Sequence, residues 1–208
     1  MKIPLQLPCS KCEKSVTAWV AHTDSSVEYH CDCGNDLSGV LDLNFTPGFL
    51  GLLRSEYELL VAKDYDLSIV MSATAFEWQM VFLHNKWAHI DAYSDGRDVS
   101  LQELESLWKS HRNIFDKLRA TGTLLYPEGF EAFVRNTQEF HLAVSTGFPS
   151  LSIDDLSTTM HRHLFVPRNR IIHFGQSGFT EEEAVRSYNI ARLGVLVLHS
   201  MDISRRAQ

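Results

Sequence analysis

Cysteine is confined to one short stretch of this chain, at Cys9, Cys12, Cys31 and Cys33. The residues fall into two tight pairs, Cys9-Ser10-Lys11-Cys12 and Cys31-Asp32-Cys33, the second followed by Gly34. When the backbone turns sharply at such a pair, both sulfurs face one point, and two of these knuckles supply the four thiolates of a tetrahedral zinc ion. Two disulfides would need an oxidising compartment, which nothing in the first residues suggests. A redox CxxC would leave the second pair without a role. Four thiolates fill the coordination shell, so the expected zinc is structural. His22 and His30 are then read as ordinary hairpin surface.

The second constellation is Arg168-Asn169-Arg170-Ile171-Ile172-His173, between Pro167 and Gly175. Pro167 suits the first position of a short helix and Gly175 its end. Asn169 and His173 are then four apart, on one face and within reach of each other. Arg168 stands about 140° round the helix from His173, yet its length could bring a guanidinium to a phosphate held near the imidazole. Histidine can either take or give a proton in phosphoryl chemistry. Ile171 and Ile172 are expected to pack the segment inward. His161 and His163, which precede Pro167, are read as structural or solvent-facing. Glu77 is a weaker candidate for an inward polar partner at the site.

These groups need two different frames. Strands are expected over 17–22 and 27–31 around a polar turn at 24–26, with a weakly alternating third strand over 37–43. Two knuckles on such a hairpin make a zinc ribbon, assigned to residues 1–44. A module this small needs its metal as a staple. Residues 45–208 read as a mostly α bundle of long, roughly antiparallel helices. Thr46 is expected to cap a helix that starts at Pro47 and runs to about 62. A long segment over 67–93 carries Phe76, Met80, Leu83, Trp87 and Ile90 at helical spacing. Ser100 with Glu103 forms a capping box for one helix running to about 120, with Leu101, Leu104, Leu107 and Trp108 inward. Further helices are expected over 128–144 and 154–165. Thr180 with Glu183 caps the last, over 181–204, with Val185, Ile190, Leu193, Leu196 and Val197 inward.

Composition narrows the function. The chain has 208 residues, 44% of them apolar, sufficient for one sizeable core and a small satellite. Its formal charge of −7 argues against broad nucleic-acid binding, which needs a positive excess, but leaves room for a local basic site. No apolar run of membrane-spanning length occurs, and the first residues do not resemble a signal peptide, so the expectation is a cytoplasmic protein with no membrane partner.

The hexapeptide from Arg168 to His173 resembles the signature of HEPN domains (higher eukaryotes and prokaryotes nucleotide-binding): an arginine, a polar residue, and a histidine four positions after the polar one. Phe174-Gly175, a short polar loop, the Thr180 cap and a closing helix also fit. The segment from Ser72 to Glu77 is similar to the early helix of these domains. The likeness covers residues 67–204, less clearly between 94 and 144. It implies an HEPN-like helical bundle that homodimerises and so brings two motifs together. Many members are metal-independent endoribonucleases, some of them toxins or defence effectors held by a regulatory partner protein. By the same resemblance, Arg168 would bind the scissile phosphate, His173 would transfer a proton as the 2′-hydroxyl attacks, and Asn169 would orient His173 or touch the phosphate. Two other readings stand beside this one. One is a non-catalytic HEPN protein that binds nucleotide, RNA or a partner; the other is a zinc-ribbon adaptor whose bundle only dimerises.

Overall fold

A computed structural model describes residues 2–9, 11–12, 14–21, 26–40, 46–137, 140 and 153–206. Within them the chain is mostly helical behind a small β element. Four short strands make two antiparallel hairpins: β1 (Lys2–Pro8) with β2 (Ser15–Ala21), and β3 (Ser26–Cys31) with β4 (Asn35–Val40). In register, Pro4 faces Trp19 and Cys31 faces Asn35. The expected strands begin at residue 17, so β1 is an element they did not include; Pro4 and Pro8 within it cannot donate to a ladder. Prolines are tolerated at a sheet edge, and Ile3, Leu5 and Leu7 supply the alternation. His22, the turn residues 24–25 and the end of the expected third strand lie outside the described residues.

The helical part is built around α2 (Tyr65–Ser94), on which α1 (Pro47–Tyr57), α4 (Ile114–Leu125), α7 (Val166–Phe174) and α8 (Glu181–Arg206) all pack; α3 (Leu101–Ser110), α5 (Phe130–Asn136) and α6 (Leu156–Met160) complete it. Phe76, Met80 and Leu83 of α2 are fully buried in one cluster with Leu156, Met160, Leu164, Ile190 and Leu198, while the buried Ile69 joins a smaller one with Leu59, Phe179 and Ala184. The α1–α2 contact is unusually close. A Cβ on Gly51 would lie 2.7 Å from the Cα of Ala75, so only glycine fits there. Nearby, Ser55 Oγ donates to the Ser68 carbonyl at 2.9 Å and meets Ser72 Oγ at 2.7 Å, satisfying hydroxyls that water cannot reach. Thr46 sits at the N-cap position of α1, but its hydroxyl donates to Gln79 Oε1 and accepts from no N–H of the helix.

Several expected helices are divided. The single helix from Ser100 to about 120 is two, because Asn113 starts a new one by accepting from the Asp116 N–H at 2.9 Å. Leu101 and Leu107 consequently face solvent on α3, and Val185 and Leu196 lie at the edge of the α8 interface. Of the helix expected over 128–144, α5 is described; Val144 and the loop after it are not. Both capping boxes form as read, Ser100 with Glu103 and Thr180 with Glu183.

The segment before the Arg168 motif departs most from the expectation. Instead of stopping near Phe165 and restarting at Pro167, the helix runs through. A wide π turn, His161–Phe165, in which the Val166 N–H reaches back to the His161 carbonyl, joins α6 to α7. Pro167 has no N–H to give the carbonyl of His163, four residues back. That carbonyl accepts from Ser187 Oγ of α8 at 2.6 Å instead. The extra residue in the π turn rotates everything after it, including Arg168, relative to α6. Gly175 ends α7 in the left-handed region, as expected. Asp66 then ties down the following loop by accepting from the backbone N–H groups of Gly178 and Phe179 at 3.1 and 3.0 Å.

Candidate functional site

The four cysteines come together. Their sulfurs all lie within 4.8 Å of one another, with Cys9–Cys33 at 3.7 Å and Cys12–Cys31 at 3.5 Å. Around an ion with metal–sulfur bonds of about 2.3 Å, tetrahedral sulfurs would be about 3.8 Å apart, so the cluster fits a metal ion. The Cys31 end closes through the Gly34 N–H, which donates to the Cys31 carbonyl at 2.8 Å. Asn35 Nδ2 points at Cys9 Sγ from 3.6 Å. The Lys11 backbone N–H and this amide hold the Cys9 thiol down at about 6. At Cys31 the Cys33 backbone N–H works in the same direction, but burial and the neighbouring thiols outweigh it and push the thiol up to about 12. A cluster with one thiolate-prone member beside thiols pressed together is arranged to receive a cation that displaces their protons. His30 stands apart at the surface, its Nδ1 on Asp36 Oδ1 at 2.6 Å.

The Arg168 motif opens onto a cleft of about 510 Å³ between α2, the start of α4 and the π turn leading into α7. Arg168 and Asn169 line it, as does Glu77 of α2. Arg168 Nη1 donates to Asn169 Oδ1 at 2.9 Å, and Nη2 lies 3.9 Å from Glu77 Oε2. Its Nε is buried and has no hydrogen-bond partner among the described residues. Glu77 also accepts from Lys117 Nζ at 3.3 Å, and that ammonium sits 4.8 Å over the Trp108 ring. The inward polar role considered for Glu77 is therefore the one it has.

His173 behaves differently. It is exposed at the last turn of α7 and does not line the cleft, although Asn169 precedes it by one helical turn. Ile171 packs inward on Leu59, Ile69, Phe179 and Ala184, whereas Ile172 is about half exposed, contrary to expectation. Phe174 is 81% exposed, so His173 has uncovered apolar side chains on both sides.

Sequence reasoning gave no site role to Arg112, Phe115, Lys117 or His161, all of which line the cleft. His161 lines it, with its ring 4.9 Å from that of Phe115 and inclined by 33°, and Arg112 lines it from the turn before α4. The turn at Arg112 was hidden inside one expected helix, and the π turn decides where His161 points. The one available signal was Asn113 three residues before Asp116, a helix start in the middle of a helical pattern. His163 is half-buried; burial, then Arg186 and Arg162, lower its proton affinity. Compared with protein-family models, curated proteins and solved structures, the chain matches none of them. No helix among the described residues is long and apolar enough to cross a membrane.

Proposed function

We propose that this chain is an RNA-cleaving protein of HEPN type, working as a homodimer, with a structural zinc ion in a ribbon used for recognition or assembly. The observation that carries this reading is the cleft-lining Arg168, whose buried Nε–H, beside Asn169, lacks a partner among the described residues. An unsatisfied buried N–H costs about 1–3 kcal/mol, and a phosphate oxygen would satisfy it.

In the reaction, the ribose 2′-hydroxyl gives its proton to a base as its oxygen attacks the adjacent phosphorus. The bond from phosphorus to the 5′ oxygen breaks, that oxygen takes a proton from an acid, and the products are a 2′,3′-cyclic phosphate and a 5′-hydroxyl end. Arg168 would hold the non-bridging oxygens, where charge builds up. His173 and the partner's His173 would serve as base and acid, since each chain brings one motif histidine. Exposure of His173 between Ile172 and Phe174 favours this arrangement: a second copy covering the apolar side chains would bring both imidazoles to one phosphate. Four reduced thiols for zinc suit a cytoplasmic setting.

Mixed RNA incubated with the protein, and with its Arg168→Ala and His173→Ala variants, tests the reading. Cyclic-phosphate product should form with wild type and fall by at least about a hundredfold in each variant. Full cleavage by His173→Ala would refute the assignment. A second reading is favoured by one observation, the position of His173 outside the cleft: a protein that binds RNA or nucleotide through Arg168 without cleaving it. Binding without product in wild type would select it.

A further inference from the structure

We infer that the cleft beside Arg168 is a nucleotide subsite for single-stranded RNA, in which Arg112 and Lys117 take a phosphate and the Phe115–His161 pair takes a base. The inference rests on the ribonuclease reading and extends it to how the substrate is held. The first support is charge. Three cations, Arg112, Lys117 and Arg168, line a cleft whose single acidic side chain among the described residues is Glu77, in a chain of net charge −7. Glu77 lies between Lys117 and Arg168, whereas Arg112 has no carboxylate partner among the described residues. Local positive charge of this kind draws a polyanion to one place without making the whole surface sticky.

The second support is shape and chemistry. Phe115 and His161 stand 4.9 Å apart at a shallow 33° angle and line the same cleft as the cations. Such a pair beside positive charge is how single-stranded nucleic acid is held: aromatic faces take bases while basic side chains follow the backbone. A volume of about 510 Å³ is in the range of small-ligand pockets and suits one nucleotide, not a duplex. Phe115 lies in the first turn of the twelve-residue helix α4. The base stack on His161 and the phosphate grip on Arg168 share one wall, because the π turn puts both residues on it.

The test uses a fluorescently labelled 2′-O-methyl oligoribonucleotide of mixed sequence, which lacks the attacking hydroxyl and so reports binding alone. Anisotropy titrations over a range of salt should show Arg112→Ala binding several-fold more weakly, with a salt slope shallower by about 0.7. Phe115→Leu keeps an apolar residue and should weaken binding about tenfold at unchanged salt slope. Melting temperatures of the variants close to wild type establish that the fold is intact. Wild-type affinity and slope in Arg112→Ala, or wild-type affinity in Phe115→Leu, overturn the subsite even if RNA is cleaved. Weakened binding as stated, with no cleavage of unmodified RNA by wild type, retains the subsite and removes the catalytic reading.

Discussion

Arg168 Nη2 on α7 and Glu77 Oε2 on α2 lie 3.9 Å apart, too far for a strong charge-assisted hydrogen bond and close enough for attraction. Glu77 is better engaged by Lys117, at 3.3 Å. The carboxylate thus orients both cations while leaving the guanidinium incompletely satisfied, an arrangement suited to releasing Arg168 to a stronger anion.

Replacing Glu77 by glutamine should therefore tighten anion binding. The variant removes the one negative charge of the cleft lining among the described residues, so affinity for the 2′-O-methyl oligoribonucleotide should rise several-fold at low salt and converge with wild type at high salt. Both ion pairs are partly exposed, so the cost in stability should stay within about 1 kcal/mol by urea unfolding. Weaker binding in Glu77→Gln would show that orientation by the carboxylate matters more than its charge.

The cysteine cluster should hold one zinc ion per chain. Native mass spectrometry should give one equivalent, and a thiol-reactive mercurial should release it. Serine at Cys12 or Cys31 should abolish retention. The helical far-ultraviolet signal should remain largely unchanged, because the main apolar cluster of the described residues is built by α1 to α8 and the turns between them. Purified protein without metal and with wild-type stability would exclude a structural role for the site.

Stability should fall on mild acidification. Burial lowers the proton affinity of His84, His163 and His199 in the folded chain below the ordinary value of 6.5. As pH drops through 6.5 the unfolded chain binds protons that the folded chain refuses, so the unfolding free energy declines and levels off once pH is below the folded values. The urea midpoint should decrease from about pH 7.5 to about pH 5, and His84→Gln should flatten the slope. A midpoint that rises over this interval would contradict the burial of these rings.

Gly51→Ala should be severe for so small a change. The added methyl meets the backbone of Ala75, which cannot rotate away as a side chain could, so α1 must separate from α2. A loss of about 3 kcal/mol is expected in chemical denaturation. Less than about 1 kcal/mol would mean that the two helices part easily.

Much of this molecule can be read from short-range patterns. The knuckle spacing announces the four-sulfur cluster, the Ser100–Glu103 and Thr180–Glu183 boxes mark two helix starts, and Phe76, Met80 and Leu83 lie inward as their spacing requires. Each is a local rule, decided by residues within about two helical turns. The departures have local signs that compete. β1 forms where no strand is expected, although Ile3, Leu5 and Leu7 alternate, and Asn113 starts α4 inside a pattern that reads as unbroken helix.

What the sequence by itself determined is the chemistry available: four thiols in two pairs, and an arginine, an asparagine and a histidine on one short helix. The tertiary structure alone decided which of them meet. The π turn at His161–Phe165, stabilised where Ser187 of α8 accepts the role left vacant by the missing N–H of Pro167, sets the rotation of α7. That rotation sends Arg168 to Glu77 and leaves His173 outside, and the break before α4 adds Arg112 and Phe115. A helical period repeats at 3.6 residues and carries no record of an inserted one. Only packing against α2 and α8 could fix which face of the motif the cleft receives.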